Sequence, residues 1–282
     1  MKKISLFICM LGLIMANHGF AQLSTPAPSP FAKISQVVGL TEVNVAYSRP
    51  GMKGREIFGE LVPYDKLWRT GANRATKISF SEPMSLGGKR LEAGDYALFT
   101  IPGKSEWTVI VSSKGDQNGS AEYKESEDAA RFTVKSEKTR ETYENFTIMF
   151  SDLTDTSAKL NIMWENTRIQ IPVEDFDVDD KVMAQIKEQM PNAGDNDNMY
   201  FAAASYYHST GKDLKQAASW IDKAADINDK KYWVLHLQAK IHADLKNKDK
   251  AIASAEKSMQ LAEAAGNPDY VKLNKDLIAS LK

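Results

Sequence analysis

From residue 34 to 173, apolar side chains recur at every second position in short runs. In TEVNVAYS, Val43, Val45 and Tyr47 alternate with Glu42, Asn44 and Ala46. TKISF and MSL precede Gly87-Gly88, a pair that predicts a two-residue hairpin turn. GDYALFTIP, EWTVIVS, RFTVK, ENFTIMF, AKLNIMW and TRIQIPV follow, with Glu165-Asn166 expected to turn between the last two. A period of two with turn residues between runs predicts an antiparallel β-sandwich or barrel. No long helix is expected there, although residues 121–130 have room for a short one.

After Val173 the period changes. Asp175, Asp177, Asp179 and Asp180 precede VMAQIKEQM, so a helix starts on acids as its dipole prefers. PNAGDNDN breaks it. Further on, a shift of 34 residues sets Ala217 on Ala251, Lys223 on Lys257, Ala224 on Ser258 and His208 on His242. That period predicts tetratricopeptide-like helical hairpins, although the Trp and Gly usual in the first helix of such a repeat are missing. The expected fold class is therefore α+β, with an antiparallel β domain at 34–173, an acidic linker and helix at 174–197 and all-α helical-hairpin repeats at 198–282.

The N-terminus follows neither period. Lys2-Lys3, the apolar run Ile4 to Met15 and Gly19-Phe20-Ala21 give the order of a secretory signal peptide over residues 1–21, with a cut before Gln22. Residues 22–33, with three prolines, are expected to form an extended leader. The predicted location is periplasmic or secreted, with no transmembrane segment in the mature chain. Cys9, the only cysteine, leaves with the signal, so disulfides and thiolate chemistry are not expected. Across the whole chain 36 basic residues face 37 acidic ones, which gives no electrostatic footprint for nucleic acid.

Histidine placement removes further chemistry. His208, His236 and His242 all lie in the helical half, so a Ser-His-Asp triad or His-ligated zinc within the β domain is not expected. Asp175 to Asp179 opens like a calcium loop, but Asp180 and Ile186 stand where glycine and glutamate are needed. No catalytic residue, metal ligand or cofactor site is assigned.

One cluster remains. Residues 47–74 hold Arg49, Arg55, Arg69 and Arg74 against three acids, with Tyr47, Phe58, Tyr64 and Trp68 and four glycines. Guanidinium forks beside accessible backbone N–H groups suit a carboxylate, phosphate or sulfate. Arginine with aromatic faces suits a sugar acid or a peptide terminus. We expect Arg49, Arg55, Trp68, Arg69 and Asn73 to line one anion-binding pocket. The alternative is that the arginines pin a long crossover loop.

The segment YSRPGMKGREIFGELVPYDKLWRTGANRATKI, with LEAGDYALFTIPGKSEWTVI after it, resembles the secreted bacterial domain-of-unknown-function family numbered 2911 up to about residue 173. The resemblance implies no activity, and it implies that helices of tetratricopeptide type often follow. The stretch SSKGDQNGSAEYKESEDA is longer and more polar than the resemblance leads one to expect. The function expected is an exported, non-enzymatic binding or scaffold protein of the bacterial envelope, with a small anionic or sugar-like ligand on the β domain and a protein partner on the repeats. A carboxylate-based hydrolase of glycans or envelope components, and a purely structural envelope protein, are the alternatives.

Overall fold

A computed structural model describes residues 25–282, so the expected signal peptide lies outside the described residues. The chain divides into two compact units, one ending at Phe176 and one spanning Asp177–Lys282.

The first unit holds nine strands: β1 (Phe31–Val38), β2 (Thr41–Ser48), β3 (Thr76–Phe80), β4 (Met84–Leu86), β5 (Lys89–Leu91), β6 (Gly94–Pro102), β7 (Glu106–Ser112), β8 (Asp128–Ser151) and β9 (Ser157–Glu174). Their order is β1-β2-β3-β6-β7-β8-β9-β4-β5, with every pairing antiparallel. The order is linear, so the sheet is open rather than a closed barrel. β1 starts at Phe31, within the segment expected to be leader.

Strand β8 joins the two parts of this sheet. Its first residues, Asp128 to Lys135, pair with β7, and from Ser136 onward it pairs with β9. Inward side chains of both parts, among them Val43, Ile78, Trp107, Phe146, Leu160, Ile162 and Ile171, form one buried cluster. The sequence runs RFTVK and ENFTIMF are thus a single strand, as are AKLNIMW and TRIQIPV. Glu165-Asn166 is not a turn. Glu165 takes a positive φ of 55° inside β9, opposite register shifts in β8. The extra residues lie in β8, between Lys138 and Tyr143 and between Tyr143 and Thr147, and such bulges bend a strand pair without ending it. The Gly87-Gly88 turn does form, with φ of 58° and 75°, where side chains other than glycine are strained. Residues 121–130 hold one short 3₁₀ turn at Glu125–Glu127.

The second unit holds six helices: α1 (Val178–Gln189), α2 (Asp197–Ser209), α3 (Leu214–Ile227), α4 (Tyr232–Asp244), α5 (Lys248–Ala264) and α6 (Pro268–Leu281). The PNAGDNDN break falls between α1 and α2. Side chains cap three starts: Asn196 accepts from Met199 N, Asp213 from Lys215 N and Gln216 N, and Asn267 from Tyr270 N. Consecutive helices pack on small buried residues, Ala204, Ala217 and Ala224 among them, with Ile221, Val234 and Ile241 filling the core. Small residues allow close helix approach, and the larger ones supply the buried area. No helix among the described residues is long and apolar enough to cross a membrane.

Candidate functional site

Strands β2 and β3 are neighbours, but residues 49–75 between them make a long excursion over one end of the sheet. Pro50 stops β2 because it cannot donate to the ladder. The loop is then stitched to distant strands. Phe146 N donates to Pro50 O at 2.9 Å and Met52 N to Glu144 O at 2.8 Å. Trp68 and Thr100 exchange two backbone hydrogen bonds, at 2.8 and 2.9 Å, which fixes the return of the loop on β6. Between these points Ile57, Phe58 and Val62 are buried in the core.

The excursion is backed by aromatic rings. Trp68 lies 6.0 Å from Trp164 in a stacked arrangement, with Phe58, Trp107 and Phe146 around the pair. The indole Nε1 of Trp68 donates to Gly71 O at 3.1 Å. The rings therefore hold the chain on either side of Arg69 while burying a large apolar area.

Backbone strain concentrates here. Lys53, Asp65, Thr70 and Asn73 all adopt positive φ, between 50° and 60°. For Thr70 a β-branched side chain makes this a true outlier. Thr70 is fully buried; its Oγ1 lies 3.0 Å from Thr100 Oγ1, and its carbonyl accepts from the Thr76 hydroxyl. Gly71 has φ of 149°, and a Cβ there would stand 3.2 Å from Ser48 O. Such conformations persist where surroundings over-determine them, and they gather at functional sites.

A cavity of about 420 Å³ opens beside this loop, with Lys53, Arg55, Trp68, Arg69, Asn73 and Trp164 in its lining. Three cations line it and no carboxylate does. None of the three is in a salt bridge among the described residues. Arg55 is steadied by neutral acceptors, with Nε on Met52 O at 2.8 Å and Nη2 on Gly51 O at 2.7 Å, so its charge is not compensated. Arg69 differs again. Its Nε is buried and has no hydrogen-bond partner among the described residues. A buried donor without an acceptor is costly, the more so on a charged group. Asn73 donates to Ser48 Oγ at 3.2 Å.

The structure thus brings four of the five expected residues together: Arg55, Trp68, Arg69 and Asn73. Arg49 is the exception. It does not line the cavity, and instead donates from Nε to Phe146 O at 3.1 Å and from Nη2 to Thr147 Oγ1 at 2.9 Å. The physical reason is that its strand neighbour across the sheet end is β8, whose carbonyl and hydroxyl take both donors. Arg49 follows the loop-pinning alternative. Trp164, from β9, is a lining residue that the sequence reading did not name as one.

The polar stretch after β7 also packs here. A Cβ on Gly119 would come within 4.0 Å of Arg69 Nη1 and 3.8 Å of Asn73 O. The stretch is held at its far end by Tyr123, whose hydroxyl donates to Asp128 at 2.9 Å and accepts from Arg131 Nη2 at 2.7 Å. Burial, with the Asp128 carboxylate beside it, pushes the Tyr123 phenol up to about 12.

The histidines form no metal set, and no group of three or more such ligands exists among the described residues. His208 Nε2 lies 2.8 Å from Asp244, His242 Nε2 lies 2.9 Å from Asp222, and His236 Nδ1 lies 2.8 Å from Asn274 Oδ1. Asp175, from the calcium-like segment, instead accepts from Leu40 N and Thr41 Oγ1 and so ties the β1–β2 turn.

No curated protein and no solved structure matches the chain. A family profile described as a protein of unknown function, DUF2911, matches residues 29–173. That span runs from just before β1 into the end of β9, covers more than half the chain and carries the stitched loop with all three lining cations. The β unit and its cation-lined cavity are therefore those of a DUF2911 domain, and the chain belongs to that family.

Proposed function

We propose that this is an exported, non-enzymatic binding protein of the bacterial envelope whose β domain takes a small anionic or sugar-like ligand in the cation-lined cavity. The observation that carries the reading is the lining itself among the described residues: Lys53, Arg55 and Arg69 in no salt bridge, no lining carboxylate, and a buried Arg69 Nε with no acceptor. An oxyanion supplies what that donor lacks, in a charge-assisted bond. Trp68 and Trp164, buried and stacked on each other, stiffen the wall behind the lining. A glycan hydrolase needs two facing carboxylates, and this cavity has none in its lining.

The helical unit supports a protein-binding role of tetratricopeptide type. The 34-residue shift relates Ala217 to Ala251, Ile221 to Ala255 and Ala224 to Ser258, all six fully buried. A groove lined by Met183, Ile186, Met190, Tyr207 and Trp220 runs between α1, α2 and α3. Signal-like residues 1–21 are the support for export.

The test is thermal denaturation of the mature chain with sulfate, phosphate or a uronic acid. A binding anion at about tenfold its Kd should raise Tm by about 2–4 °C. Arg69→Ala should abolish that rise while moving the ligand-free Tm by less than about 1 °C, since no described residue accepts from its side chain. No rise with any of the three anions, or a large loss of ligand-free Tm in Arg69→Ala, would sink the reading.

A further inference from the structure

A second cavity, of about 280 Å³, is lined by Phe31, Asn73, Arg74, Lys77, Asp116 and Gln117 together with residues of β2. It adjoins the first by chain path. Pro28 and Ser29 line the first cavity and Phe31 the second; Arg69 and Gly71 line the first, Arg74 and Ala75 the second; Asn73 lines both. Two segments thus run from one cavity into the other.

The second cavity carries the opposite deficit. Gln117 is 2% exposed, and its Oε1 has no partner among the described residues. Its orientation is set by chemistry: the amide nitrogen donates to Lys114 O at 3.0 Å and to Ser112 Oγ at 2.9 Å, and only nitrogen can donate to a carbonyl. The orphan is therefore an acceptor, where Arg69 Nε in the first cavity is an orphan donor. Charge differs as well. Asp116 lies 3.9 Å from Arg74, and Lys77 pairs with Asp95 at 2.8 Å, so the cations of the second cavity are compensated. Phe31 is 71% exposed at the start of the edge strand, an aromatic face with no partner in the core.

We infer that the two cavities are adjoining subsites for an acidic glycan, the acid-bearing sugar held by Arg55 and Arg69 and a neutral neighbouring sugar held by Gln117 and Phe31. The inference rests on the anion-binding reading above. A sugar hydroxyl donates to an orphan amide oxygen, and the C–H face of a pyranose covers an exposed aromatic ring. A peptide carboxyl terminus satisfies the first subsite equally, but its preceding residues bring one N–H each where a sugar ring brings several hydroxyls to polar walls. Gln117 lies in the polar stretch after β7, so that stretch supplies the acceptor of the second subsite.

The experiment is calorimetric titration of the mature chain with four probes: an aldobiouronic acid (a uronate linked to a neutral hexose), the free uronate, a neutral disaccharide and a short peptide with a free carboxyl terminus. Phe31→Ala is the variant, because that side chain is exposed and its removal leaves the fold intact. The aldobiouronic acid is expected to bind about tenfold more tightly than the uronate, and Phe31→Ala should erase that margin while leaving uronate affinity unchanged. Equal affinity for uronate and aldobiouronic acid, unaltered by Phe31→Ala, overturns the second subsite and leaves the anion site standing. Tightest binding of the peptide overturns the glycan assignment. Failure of every acidic probe overturns both readings.

Discussion

The cation-lined end of the β unit and the middle of the helical unit are both rich in polar side chains, and they treat them in opposite ways. Around α4 and α5, Asp222 accepts from Lys250 at 2.6 Å, Gln238 at 2.8 Å and His242 at 2.9 Å. Gln238 in turn accepts from Ser254, and Asn274 donates to Ser258. Burial alone raises the Asp222 carboxyl, but its three donors outweigh that and hold it below the usual carboxylate range. At the β end, among the described residues, the three lining cations are in no salt bridge, and Arg69 Nε and Gln117 Oε1 have no hydrogen-bond partner. The difference separates two uses of polarity. A satisfied network specifies packing, whereas an unsatisfied one stores a cost that a ligand can relieve.

Asp222→Ala offers the hardest blow to this contrast. It leaves Nε2 of His242, a residue 4% exposed, without its acceptor, and takes the same acceptor from Gln238 and Lys250. We expect a loss of about 2–4 kcal/mol in the helical transition, followed by circular dichroism at 222 nm in urea. A loss below about 0.5 kcal/mol would mean that the network contributes little to folding.

Arg49→Ala sharpens the comparison within the β unit. It removes two hydrogen bonds to β8, so stability should fall by about 1–2 kcal/mol while anion affinity holds. Paired with Arg69→Ala, whose expected effects are the reverse, it separates a pinning arginine from a binding one. Equal effects of the two variants on affinity would return Arg49 to the site.

The smallest effect concerns pH. Asn274 gives both amide hydrogens to Tyr270 O and Ser258 Oγ, so its Oδ1 accepts from a neutral His236 bearing a proton on Nδ1. Burial lowers the His236 value below 6.5. The folded state then binds fewer protons than the unfolded one below that pH, and stability declines as pH falls through 6.5 toward the folded value. The slope of helical-unit stability against pH between 5 and 7 should flatten in His236→Gln. An unchanged slope would assign the titration to another group.

Much of this was legible in the sequence, and the remainder was hidden for physical reasons. Alternation found the strands because one face of each is buried, and Gly87-Gly88 found a turn because two successive positive φ angles favour glycine. Trp68 and Arg69 could be placed because they lie on the return of one loop, a few residues before β3. Trp164 could not. Alternation says that it points inward, but only the pairing of β8 with β9 says that it meets Trp68. Arg49 was misplaced because a donor at the end of a strand looks free until the neighbour across the sheet is known. Glu165-Asn166 carries turn chemistry, and a local irregularity inside a long strand uses the same residues. Gln117 has no pattern at all; its orphan oxygen exists only because Lys114 O and Ser112 Oγ occupy its nitrogen.

The stitched loop also has a history to its assembly. Its anchors join Pro50 to Phe146 and Arg49 to Thr147, partners 96 and 98 residues apart in sequence. β8 and β9, by contrast, meet across the short connection between Ser151 and Ser157. Chain-closure entropy favours the near partners first. The hairpin should therefore gain amide protection early in refolding, and Met52 N, hydrogen-bonded to Glu144 O, should gain it late, which pulsed hydrogen exchange can time. The cavity is then among the last features to appear, so that its lining is complete only once the chain has finished folding.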